Sequence, residues 1–200
     1  MISISVRLDP PKRGSELDKQ VRFALTMALT ATAKDAQGEI RDSLQDTFTI
    51  RNRWLDQSNK FGIKVRPAKK DDLVAQVGTD ADWLQFHEEG GIKTPQGHFI
   101  AIPTRNVRRT KKQIIQKGQR PRALIGKRDF LITTKAGRVV LFQRTGRGKR
   151  SGIKAMYVMV PRSSIKKHST ILDPTMKAIQ QRFGGNFSKA LKRAIATARP

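Results

Sequence analysis

The sequence contains no cysteine, which excludes disulfides and thiolate metal sites and fits a reducing compartment without proving one. It has no apolar run approaching the roughly 18 residues that suggest a membrane span. Its start, "MISISVRLDPPKRGSE", lacks the apolar centre of a signal peptide. These absences predict a soluble protein made in the cytosol. Apolar residues are few, 37% against 28% charged, so much of the chain must lie on a surface or touch a partner. Two hundred residues predict one domain over 1–200, or one domain with a long arm.

Negative charge is also scarce, and unevenly so. Residues 1–103 hold 15 Lys and Arg against 14 Asp and Glu, whereas residues 104–200 hold 26 against 2. After Glu89 the only acidic residues are Asp129 and Asp173. This one-sidedness predicts a polyanionic partner, either nucleic acid or the acidic surface of another protein, with a solvated basic face as the plainer alternative.

The apolar patterning predicts an α+β fold. Residues 2–8 alternate as a strand. From Ser15, a candidate N-cap with Asp18 reaching back to it, the spacing turns helical for about 30 residues. Val21, Leu25, Ala28 and Leu29 share one face, continued by Ile40, Leu44 and Phe48, and Gly38 threatens a kink. Residues 61–67 and 73–79 read as a hairpin around "AKKDD". Residues 98–104 and 155–165 read as strands, and "DFLITTK" with "RVVLFQRT" as a hairpin around Ala136-Gly137. The C-terminal segment reads as a helix, with Asp173 as cap, Pro174 at its first position and a break at Gly184-Gly185. The expected architecture is a mixed, mostly antiparallel sheet packed by long N-terminal and C-terminal helices. Two stretches, about 104–128 and 144–154, carry ten and five basic residues and read as basic loops or arms projecting from it.

The stretch "WLQFHEEGG", Trp83–Gly91, poses the functional question. A metal site would need His87, His98 and His168 to fold together, and "HEEGG" is not a zinc-protease signature, which places two histidines one helical turn apart. Adjacent Glu88 and Glu89 face opposite ways on a strand, which disfavours an acid/base pair. The basic region offers Asp129 alone where a magnesium nuclease needs converging carboxylates. The chain carries no P-loop, no GxSxG and no dinucleotide fingerprint. The expectation is a protein that is not an enzyme and takes no cofactor or metal. Nucleic-acid binding fares better, since seventeen Lys and Arg lie between 104 and 154. Aromatic platforms for stacking are thin, however, so any contact would be to the backbone and independent of sequence.

The order of these features resembles the tail-completion and neck proteins of long-tailed bacteriophages, the group that includes minor tail protein Z. In that group an aromatic–x–x–aromatic–x–Glu–x–Gly motif follows a hairpin, and Trp83, Phe86, Glu88 and Gly90 match it. "HFIAIPT" resembles the ordered Pro-containing segment that follows, and "LFQRTGRGKRSGIKAMYVMVPR" the later strand pair around a polar loop. The resemblance covers most of the chain from about residue 15; the insertion at 104–128 is longer than a minimal member needs. It implies a structural virion protein at the head-proximal end of a tail, made in the host cytoplasm. That protein would form or cap a homo-oligomeric ring, hexameric by preference, around the DNA path. Its partners would be neighbouring ring proteins (tail terminator, head connector, the end of the tape measure), with transient contact to the DNA backbone and none to membrane. Trp83 and Phe86 would anchor their segment on the sheet, Glu88 or Glu89 would pair with a basic residue, and Gly90-Gly91 would make a sharp exit. Arg105, Arg108, Arg109, Lys111, Lys112, Lys117, Arg120, Arg122, Arg147, Lys149 and Arg150 would face the partner or DNA. The alternative function is a sequence-nonspecific nucleic-acid-binding protein.

Overall fold

The computed structural model describes residues 2–8, 16–125, 129–146 and 150–197. Ser15, Arg147 and Lys149 lie outside the described residues. The fold is α+β, with long helices near both ends, as the patterning predicts. The chain gathers into two compact units, one of Met1–Gly90 with Lys166–Pro200 and one of Gly91–Ile165.

The first unit holds β1 (Ile2–Arg7), α1 (Glu16–Thr47), β2 (Lys64–Arg66), β3 (Val74–Thr79), α2 (Asp82–Glu89) and α4 (Leu172–Ala196). Its antiparallel sheet runs in the order β1-β3-β2. β2 and β3 form the expected hairpin, closed by Lys69 and Asp72 exchanging backbone bonds of 2.9 and 3.1 Å. Gly78 is required where β1 crosses it, because a Cβ there would lie 2.2 Å from the carbonyl oxygen of Ile2. Alternation along β3 turns Ala75, Val77 and Thr79 inward. Against them α1 packs Ala36, Ile40 and Leu44, joined by Ile63, Leu84 and Ile171. Further along, α1 meets α4 through Ala24, Ala28, Ala190 and Ala194, and short side chains at a helix crossing let the backbones approach closely. Two inward polar side chains here find partners: Gln37 Nε2 donates to the Ile63 carbonyl at 2.5 Å and Asn186 Nδ2 to Asp35 at 2.7 Å.

Three local expectations in this unit need correction. α1 runs unbroken through Gly38, and α4 runs unbroken through Gly184-Gly185. All three glycines are exposed, and nothing lies within 4 Å of the position a Cβ would take. Packing on either side of each glycine outweighs its intrinsic cost of about 1 kcal/mol. Nor does Asp173 cap α4. It lies within the first turn, where its own backbone N–H donates to Ser169 Oγ at 3.2 Å.

The second unit holds β4 (Gly91–Lys93), β5 (Ile100–Pro103), α3 (Pro121–Leu124), β6 (Asp129–Thr133), β7 (Val139–Arg144), β8 (Ile153–Val160) and β9 (Ser163–Ile165). Four strands form an antiparallel sheet in the order β5-β8-β7-β6, and β4 pairs with β9 separately. The expected strand over 155–165 is therefore two strands that serve different sheets. The β6–β7 hairpin turns at Gly137, whose φ of 73° suits glycine. A register shift opposite Leu141 and Phe142 makes β8 bulge at Met156. An extra residue at a bulge lets two consecutive side chains face one side, and Met156 and Tyr157 are both buried.

Segment 104–125 is not a projecting arm. Val107 and Leu124 are buried on the sheet against Leu141, Met156 and Tyr157. Thr104 Oγ1 and Asn106 Nδ2 donate to the Ala155 carbonyl at 2.6 and 2.8 Å. Tyr157 Oη donates to the Gln119 carbonyl at 2.7 Å. A few apolar side chains scattered among the basic ones suffice to fix the backbone. Of the stretch 144–154, Arg144 belongs to β7 and Ile153 and Lys154 to β8, and the Thr145 amide donates to the Gly152 carbonyl at 2.8 Å.

Candidate functional site

"WLQFHEEGG" folds as α2 followed by a glycine corner, and its residues divide into two sets. Leu84, fully buried, anchors the helix in the core. Trp83 and Phe86 do not anchor it; they remain 41% and 42% exposed. Three residues apart, they share the outer face of the helix. Trp83 lies edge-on to Trp54 at 5.0 Å and to Phe48 at 6.1 Å, and His87 packs on Phe48 at 4.8 Å. The result is a supported but open aromatic patch.

Glu88 points the other way. Rather than pairing with a basic residue, it accepts from backbone amides at the start of α4. The Thr170 and Ile171 amides reach Oε1 at 2.5 and 2.6 Å, the Thr170 hydroxyl at 2.7 Å, and the Leu172 amide reaches Oε2 at 3.4 Å. A helix N-terminus presents unpaired N–H groups and partial positive charge, so a carboxylate there is stabilising. Glu88 thus supplies the cap that Asp173 does not. Glu89 is exposed and accepts from Gln85 at 3.0 Å.

Gly90 and Gly91 follow at φ of 70° and 132°, which confirms the sharp exit. At Gly90 a Cβ would meet Lys167 backbone at 3.1 Å. The His168 amide donates to the His87 carbonyl at 2.6 Å, tying the corner to the segment before α4. Among the described residues, no group of three or more His, Asp or Glu converges as metal ligands would.

The basic residues concentrate in the second unit, with nineteen Lys and Arg against Asp129 alone over 91–165. Arg105, Arg108, Lys111, Lys112, Lys117, Arg120, Arg122 and Arg150 are exposed. Arg109 is half-buried and reaches the Gln113 carbonyl at 3.5 Å. Burial holds the Tyr157 hydroxyl above the ordinary tyrosine range, and nearby Arg109 offsets part of that rise. One carboxylate cannot neutralise nineteen cations, so this surface attracts anions at any physiological pH.

Sequence reasoning identified the cap glutamate and the two outward aromatics but reversed their roles. It missed Leu84 and the Thr170–Leu172 amides. The burial of Leu84 follows from helical rather than strand periodicity; nothing local could reveal a cap from 82 residues away.

No curated protein matches this sequence, and no solved structure matches the chain. Residues 12–173 match the model of a family of unknown function, DUF6441, and the chain belongs to that family.

Proposed function

We propose that the protein is a structural virion component that completes a phage tail at its head-proximal end and helps join it to the head. The reading rests on the division within α2. Glu88 and Gly90 serve the fold, while Trp83 and Phe86 of the same short motif stand outward, 41% and 42% exposed. A surface kept open on a helix anchored by Leu84 suits assembly with neighbouring protein rings. The basic second unit suits acidic rings or the DNA that passes between head and tail.

The experiment is to disable the gene in its parent phage and view the lysate by electron microscopy. Separate full heads and finished tails support the reading, as does labelling of the protein at the junction of wild-type particles. Intact infectious particles without the protein overturn it.

One observation favours a second reading, sequence-nonspecific nucleic-acid binding: the nineteen-to-one charge ratio of the second unit. Affinity for DNA would then fall steeply with salt and vary little with base sequence. Loss of DNA binding at physiological salt, with particle assembly intact, would exclude it.

A further inference from the structure

We infer that copies of this chain associate with one another, α2 of one copy seating on the four-stranded sheet of another, on the face opposite Val107 and Leu124. The inference deepens the proposed function by naming the neighbour. Its test uses purified protein alone, so its failure leaves the virion assignment to the phage experiment.

The receiving surface is read from the register. Ile102, Val158, Val140 and Ile132 align in one row across the four strands. Phe142 and Phe130 form the next row, their rings 6.3 Å apart and nearly parallel. Paired residues share a face and alternate residues change face. This face is therefore opposite the one that Val107 and Leu124 cover. Ile102 and Ile132, at the ends of the row, are 44% and 37% exposed, while Val158 between them is half-buried and Val140 buried. Along β7 the face continues to Arg144 at one end. At the other it reaches Arg138, which stands opposite Thr134 one rung beyond the named ladder. Two apolar residues of β7 are thus bracketed by two arginines.

The matching surface is on α2. Helical spacing puts Asp82, Trp83, Phe86 and Glu89 on one side, and all four are exposed. Here two aromatics are bracketed by two carboxylates. The neighbouring loop adds Arg51, Arg53 and Asp56, but the helix itself carries no Lys or Arg. Asp82 and Glu89 are separated by ~10 Å of helix, and Arg138 and Arg144 by ~20 Å of strand. Long arginine side chains close the difference. Arg144 already folds one rung inward, its guanidinium carbon 5.1 Å from the centre of Phe130.

Charge decides the geometry. Two sheet faces meeting symmetrically would bring together two units that each hold nineteen cations and one Asp, and like charges across an interface oppose association. Acidic α2 against the basic-rimmed sheet is complementary. Such a contact joins two unlike surfaces, so it closes as a reciprocal pair or a ring, or extends as a chain.

The test is sedimentation velocity on nuclease-treated protein at about 100 µM and about 0.3 M NaCl, where long-range repulsion between basic copies is screened. Wild type should form dimers or larger species. Phe86→Lys on α2 and Ile132→Glu on the sheet should each give monomers with wild-type circular dichroism. An equimolar mixture of the two should give a dimer and nothing larger, because only one competent contact remains. Should either variant misfold, the exposed pair Asp82→Arg with Glu89→Arg replaces it, and adding Arg138→Glu with Arg144→Glu in the same chain should restore the association. A monomeric wild type, unchanged assembly in either folded single variant, or a mixture that stays monomeric overturns the inference. So does assembly that vanishes on nuclease treatment, which would assign the sheet face to nucleic acid.

Discussion

The two units of this chain solve different problems. Met1–Gly90 with Lys166–Pro200 carries 22 Lys and Arg against 15 Asp and Glu, and Gly91–Ile165 carries nineteen against one. The first unit buries both long helices on one another and α1 on its sheet, with partners for Gln37, Asn186 and the α4 N-terminus. The second buries one face of its sheet under a basic segment and leaves Ile102 and Ile132 exposed on the other. The difference teaches that charge and packing are assigned separately. The first unit is closer to charge balance than the second, and both leave apolar side chains exposed, Trp83 and Phe86 in the first and Ile102 and Ile132 in the second.

The sharpest break of this comparison is a pair of truncations. Leu84→Ala, at a fully buried site in the first unit, should cost about 2–5 kcal/mol. Ile132→Ala, on the open face, should cost less than about 1 kcal/mol. Urea denaturation measures both, and equal costs would mean that the open face is a core. Next in size is Glu88→Ala. Removing a carboxylate that holds the first amides of α4 should cost about 2–3 kcal/mol. Glu88→Gln, which keeps an acceptor without the charge, should cost roughly half of that.

The second unit can be probed through its lone tyrosine. Tyr157→Phe removes the bond to Gln119 and should cost about 1 kcal/mol. It should also speed trypsin cleavage around Lys117 and Arg120. Burial raises the native Tyr157 pKa above the unfolded value. The stability it contributes is therefore fully present below about pH 10 and is lost as pH rises through the native value. Tyrosinate absorbance in the folded protein should appear later in an alkaline titration than in urea-unfolded protein. Smallest is the effect of Gly184→Ala or Gly185→Ala, each expected to stabilise the first unit by about 0.5–1 kcal/mol, because open space surrounds both positions.

Much of this fold is legible in the sequence, for physical reasons that also mark where legibility stops. The long helices repeat an apolar stripe over many turns, and both hairpins carry alternation and turn residues together, so several independent signals agree. Gly184-Gly185 misled because propensity is weak beside the packing of Phe183, Phe187 and Ala190 on α1. The basic stretch 104–125 misled because Val107 and Leu124 are too sparse to form a period, yet two buried side chains and the Tyr157 bond fix it. In the candidate site the unusual residues were visible, but not their directions. Trp83 reads as core by composition and stands on the surface because Leu84 takes the inward position. Glu88 reads as an ion-pair partner and caps a helix that begins 84 residues later.

The central claim is that the basic surface of the second unit serves binding and not folding. Its most direct test replaces the exposed Arg105, Arg108, Lys111 and Lys112 with Glu and measures two things on the same variant. Denaturation should change by less than about 0.5 kcal/mol, since exposed charges contribute little to stability. Head-to-tail joining, scored by electron microscopy of particles from the parent phage carrying the variant, should be lost. Normal particles from a folded variant would contradict the claim and return the charge to a solvated surface.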